Sequence, residues 1–181
     1  MRATGISRSI DSLGRIVIPK EIRKNMQIRE ADLMEFYAGD EGEIILKKYS
    51  PMGEMEAFAR GYAESLYQVS GFVSMISDRD KLIAVSGGCK DLLGEKISLA
   101  LQQRMEERKT LIAQAGTVEF TPITNKTGEV AWQGMAPILS HGDAVGMVIL
   151  QTKDPEKKMG EVERKLLLAA ATFLGRQQEL V

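Results

Sequence analysis

The feature that most constrains this chain is a change of hydrophobic period near residue 50. Before it, apolar residues come in short strand-length runs; after it they first recur with a helical step. Thr4 to Ile10 alternates imperfectly and is expected to be a short strand. Asp11-Ser12-Leu13-Gly14 suits a tight turn, and Arg15-Ile16-Val17-Ile18, with its three β-branched residues, reads as a second strand. Pro19 fits the first position of a short helix reaching Met26, because its missing N–H would be unpaired there. Two further runs, 33–38 and 43–49, flank Gly39-Asp40-Glu41-Gly42 as a hairpin. Four short strands and one helix in about 50 residues bury too little to stand alone without a metal, a disulfide or a second copy. One cysteine, Cys89, and one histidine, His141, supply neither of the first two, so a dimer is expected.

Ser50-Pro51-Met52-Gly53 reads as a break. From Glu54 on, Met55, Ala59, Tyr62, Leu66 and Val69 step by four and three, the pattern of a linker helix able to pack on its twin or on its own domain. The rest alternates between β and α signals. Phe72 to Ser77 and Leu82 to Ser86 form a hairpin around Asp78-Arg79-Asp80-Lys81, which accounts for Asp78 and Asp80 without a metal or an acid pair. Ser98 is the expected N-cap of a helix reaching about Ala113, with Leu101, Met105 and Ile112 on one side. Strands are expected over 117–123, 130–139 and 144–152, with a turn at Ser140-His141-Gly142-Asp143. A closing helix should carry Met159, Val162, Leu166, Ala169 and Phe173 as its apolar seam. The fold class is therefore α+β: a domain over 1–50, a linker helix over 51–71, and an antiparallel sheet flanked by helices over 72–181.

At 181 residues and a formal net charge of −1, the chain is no general polycation. The charges are segregated, however. Residues 1–29 hold seven Lys or Arg against Asp11 and Glu21, and 30–46 hold six acids and no base. Cations spaced around a turn, a strand and a helix start can meet successive phosphates of duplex DNA. Arg8, Arg15, Lys20, Arg23 and Lys24 are the candidate contacts; a solvated surface is the competing meaning. Met75, Trp132, Met135 and Met147 lie on strands and are candidate pocket residues, with ordinary core the competing meaning. No apolar run, such as Leu166 to Ala171, approaches bilayer thickness, and the N-terminus lacks a signal core. The expected location is the cytoplasm, at the nucleoid.

From Thr4-Gly5-Ile6 through Asp11-Ser12-Leu13-Gly14-Arg15-Ile16-Val17-Ile18-Pro19-Lys20-Glu21-Ile22-Arg23, and again at Ile45-Leu46-Lys47-Lys48-Tyr49, the sequence closely resembles the AbrB-type transition-state regulators. The C-terminal resemblance is looser, at Asp78-Arg79-Asp80, Ile83 to Gly87, Gly142-Asp143, Gly146 and Met159 to Glu163. It implies an N-terminal swapped-hairpin barrel of two interleaved chains and a C-terminal GAF-like domain that oligomerises the protein, up to a tetramer, and senses a small molecule. It also implies regulation of sporulation-phase genes, by activation or repression, with double-stranded DNA as partner and no resident cofactor or catalysis. The family's DNA contacts fall on Arg8, Arg15, Arg23 and Lys24. Ser9 stands where relatives often carry a second base, and Lys24 where Arg is usual. The same N-terminal fold serves antitoxins that neutralise a toxin and repress their own promoters. Some GAF-like domains reduce oxidised methionine, a chemistry that uses several cysteines.

Overall fold

In the computed structural model, which describes residues 4–39, 42–49, 56–126 and 128–179, the chain divides between Tyr49 and Ser50 into two units. The first contains α1 (Lys20–Asn25) and an antiparallel hairpin of β1 (Met34–Ala38) and β2 (Ile44–Lys48), registered from Met34 opposite Lys48 to Ala38 opposite Ile44. Pro19 occupies the helix cap rather than the first helical position, one residue from the expected place. Asp40 and Glu41 of the hairpin loop lie outside the described residues. Residues 4–10 and 15–18, expected as strands, form none. Their turn closes with two backbone bonds, Asp11 N–H to Arg15 C=O and Gly14 N–H to Asp11 C=O, both at 3.0 Å, and no ladder continues from them. A strand needs a partner for its N–H and C=O groups, and within this chain the two arms have none among the described residues.

This unit also lacks a core of its own. Pro19 is its one buried residue among those described. Leu13, Val17, Phe36 and Ile44 are each about 70% exposed, at 73%, 72%, 69% and 70%. Leaving so much apolar surface in water is unfavourable by roughly 25 cal/mol per Å².

The second unit begins with α2 (Glu56–Ser70), followed by β3 (Val73–Ser77), β4 (Leu82–Ser86), a single 3₁₀ turn at Lys90–Leu92 and α3 (Leu99–Glu106). After these come β5 (Leu111–Gln114), β6 (Trp132–Ser140), β7 (Asp143–Thr152) and α4 (Glu161–Gln178). All strand pairs are antiparallel, in the order β4-β3-β7-β6-β5. Both faces are covered, which is why β6 and β7 read as nearly continuous apolar runs. On one face α2 and α4 bring Ala59, Ala63, Leu66, Leu167, Ala170 and Leu174 against Ile76, Ala136, Val148 and Leu150. On the other, α3 and its flanking loops lay Leu101, Met105, Ile97 and Ile123 over Met75, Leu82, Met135, Met147 and Ile149.

Several expectations change here. The break at 50–53 and Met55 lie outside the described residues; of the two packings expected for the linker helix, α2 takes the one against its own domain, on the sheet of the second unit. The helix capped by Ser98, whose Oγ accepts from Leu101 N–H at 3.0 Å, ends at Glu106. Arg108 then takes a left-handed conformation (φ 56°), which breaks the helical run and places Ile112 on β5. Residues 117–123 form no strand. Arg104 fastens them instead, donating to Thr121 Oγ1 at 3.2 Å and to Val118 C=O at 3.3 Å, and Thr121 and Ile123 cap the second core. The seam expected on α4 leaves Val162 and Phe173 exposed; Leu167, Ala170, Ala171 and Leu174 face the sheet. Close approach selects that stripe, since a Cβ on Gly175 would lie 2.1 Å from Leu139 O.

Candidate nucleic-acid interface

One carboxylate organises the basic arm. Asp11 Oδ1 accepts from the N–H groups of Leu13 and Arg15, each at 2.9 Å, and Oδ2 takes the Arg15 Nε–H at 2.8 Å. Gly14, at φ +75°, lets the chain reverse, and its N–H donates to Asp11 C=O at 3.0 Å. The result is an Asx-type loop that presents a tethered arginine at its tip. The backbone bond from Arg15, then its side chain, hold the Asp11 carboxyl below its ordinary pKa. Arg15 remains 71% exposed despite the pairing, so its outer guanidinium nitrogens face solvent.

The other sequence-derived candidates are displayed in the same unit. Arg8 lies on the strand-like arm before the loop and donates only to the neighbouring Ser7 C=O, at 2.8 Å. Lys20 opens α1, while Arg23 and Lys24 sit in its last turn, where positive charge suits the carbonyl end of the helix dipole. All four are exposed, and none is in an ion pair with a described residue. The acid-rich segment that follows is employed differently. Asp32 accepts from Arg29 N–H at 2.7 Å and pairs with Lys48 at 3.2 Å in a largely buried contact, fastening the hairpin rather than neutralising the arm. Lys47 is drawn aside over the Tyr37 ring, 4.5 Å from its centre.

The pocket candidates separate. Met75, Met135 and Met147 are wholly buried together in the second core, whereas Trp132 leaves β6 on the opposite face and donates its Nε1–H to Pro155 C=O at 3.2 Å. Asp11 is the residue whose part the sequence reading understated: an Asp four before an Arg, across a Gly turn, is the signal for the loop brace. Among the described residues no group of three His, Cys, Asp or Glu could hold a metal, and no helix is long and apolar enough to cross a membrane.

Two family models match, described as stage V sporulation protein T C-terminal, transcription factor (residues 54–179), and antidote-toxin recognition MazE, bacterial antitoxin (residues 8–54). Stage V sporulation protein T of Bacillus subtilis (strain 168) is 44% identical over 99% of both chains. The chain belongs to the stage V sporulation protein T family of transcription factors. Over 51 residues, 28% of this chain and 52% of that one, the chain is also 55% identical to the transition state regulatory protein AbrB of the same organism. The first unit is thus an AbrB-type domain. The second has the GAF fold: the GAF domain of an Acinetobacter phosphoenolpyruvate-protein phosphotransferase superposes with a TM-score of 0.59 at 13% identity, over 73% of this chain and 84% of that one. A member of this family acts by regulating transcription rather than by catalysis, and the folded second unit weighs against the antitoxin reading.

Proposed function

We propose that this transcription factor binds duplex DNA as a homodimer through Arg8, Arg15, Lys20, Arg23 and Lys24, and that it acts in the cytoplasm on sporulation-phase genes. The observation that carries the reading is the Asp11-braced loop, which holds Arg15 out toward solvent between exposed cations. Such an arm is pre-ordered, so little chain entropy is lost when it meets a phosphate or a base edge. Dimerisation is supported by the absence of a core among the described residues of the first unit. It is supported too by an apolar groove of about 200 Å³ between the arm and the hairpin, lined by Ile6, Val17, Ile18, Met34 and Leu46. An arm from a second copy would give residues 4–18 the ladder they lack and cover that groove. The GAF-fold unit is read as the part that receives a small-molecule effector.

The test is DNA binding by the full chain across a salt series, comparing wild type with Arg15→Ala and Arg23→Ala. Each substitution removes one cation per protomer, so the slope of log affinity against log salt should become shallower by up to about 2 per dimer. Equal affinities and slopes for all three proteins would sink the assigned face.

A further inference from the structure

The sheet of the second unit leaves part of one strand without a neighbour. β5 pairs with Trp132 to Met135 of β6, while β6 runs on to Ser140 with β7 on its other side. Past Met135 the outer side of β6 therefore has no strand beside it among the described residues. Pro137, which has no N–H to offer a neighbouring strand, stands in this stretch. A groove of about 290 Å³ opens here, lined by β6, the link into β5 and the C-terminal half of α4. Its floor is apolar: Pro137 and Ala171 are buried, but Leu139 and Leu168 remain 41% and 43% exposed. Arg164 of α4 donates to Thr110 C=O at 3.4 Å and so joins two of the walls.

Two guanidinium groups and one carboxylate complete the lining. Arg176, in the last turn of α4, is exposed, and its guanidinium makes no hydrogen bond or ion pair with a described residue. Arg108 reaches Asp143 only at 3.7 Å, with both side chains more than half exposed, a pair that contributes little and is readily exchanged. Glu179 is engaged elsewhere, its Oε1 accepting from His141 N–H at 3.1 Å in the β6–β7 turn. Two cations against one carboxylate leave the lining with a net charge of +1. A guanidinium meets a carboxylate with two parallel N–H groups, and the exposed leucines gain from any apolar surface laid over them. Inorganic phosphate would engage the arginines and leave the leucines in water. A neutral apolar molecule would do the reverse.

We propose that this groove binds a small organic monocarboxylate with an apolar body about the size of one aromatic ring, its head held between Arg108 and Arg176 and its body on Leu139 and Leu168. The groove has the space of roughly ten waters at about 30 Å³ each, enough for such a molecule. The proposal rests on the reading of the second unit as the effector-receiving part only in taking the acid as an effector; binding itself is tested without DNA.

Thermal unfolding of the full chain is followed with phenylacetate, with its neutral amide phenylacetamide and with inorganic phosphate. Phenylacetate should raise the melting temperature of the second unit by about 5 °C at a hundred times its dissociation constant, and the other two should not. Arg176→Gln and Arg108→Asn change exposed positions, and asparagine accepts the left-handed backbone of residue 108 (φ 56°). Each should weaken phenylacetate binding roughly tenfold or more. Methyl resonances of Leu139 and Leu168 in the wild-type chain give a readout that needs no variant: phenylacetate should shift both. No response to phenylacetate at about 10 mM overturns the proposal. An equal response to phenylacetamide or to phosphate, a response unchanged in both variants, or leucine methyls that stay in place overturns it too. DNA affinity is measured separately. DNA binding without a phenylacetate response refutes this site alone, whereas phenylacetate binding that leaves DNA affinity unchanged upholds the site and refutes the effector role.

Discussion

Asp11 shows how much one side chain can organise: its Oδ1 accepts two backbone N–H groups and its Oδ2 accepts the arginine it displays. Replacing it with Ala should leave the fold of the second unit untouched while weakening DNA binding by roughly fivefold to tenfold, because the loop would then lose its freedom only on binding. Asp11→Asn, which keeps one acceptor oxygen, should fall between. The same group sets a pH dependence. Its folded pKa is depressed, so its bracing is complete above the ordinary carboxylate value and is lost as pH falls through the lower folded value. The amide resonances of Leu13 and Arg15 should therefore hold their positions down to about pH 4 and shift only below it. A shift centred above pH 5 would contradict the brace. That residue type and spacing were legible in the sequence, as were the exposed cations, since Gly and Asp have few alternatives at a tight turn. The buried pair Gln133 and Gln151 was not. Each sits beside apolar residues near one end of its strand, and only cross-strand register shows that the two share a face.

At the scale of elements, the hairpins, the Ser98 cap, β6, β7 and α4 could be read from local pattern, because turn chemistry and periodicity are written in neighbouring residues. The errors fall where distant contacts decide. Residues 117–123 have strand-like composition but serve as a lid on Met75 and its neighbours, tied down by Arg104. The seam of α4 lies one stripe from the expected one because Leu167 and Leu174 share their face with Ala170, Ala171 and Gly175, which weigh little in a hydrophobic count. Gly175 governs that packing. An added methyl would run into Leu139 O, a backbone atom that cannot swing aside. Gly175→Ala should destabilise the second unit by about 1–3 kcal/mol, overriding alanine's better helix propensity, and calorimetry of the full chain should show a lower transition. A gain in stability would mean that helix and sheet separate more easily than the contact implies.

For the whole molecule, the two units differ in self-sufficiency. The second has cores on both faces of its sheet; the first shows large apolar residues to solvent and, among its described residues, has two arms without a ladder. A charge at Val17, on the groove, should therefore act on assembly. Val17→Asp should halve the sedimenting species, from dimer to monomer or from tetramer to dimer, and abolish measurable DNA binding, while the GAF-fold unit keeps its melting transition. An assembly of unchanged size would leave the apolar arm without its proposed cover. If the reading half of the protein is completed only by a second copy, gene dosage matters more than linearly. Below the pairing constant, doubling the number of chains yields about four times as many finished readers. A coreless first domain would in this way give the regulator a threshold in its own abundance, silent when scarce and sharply active once expression passes a set level.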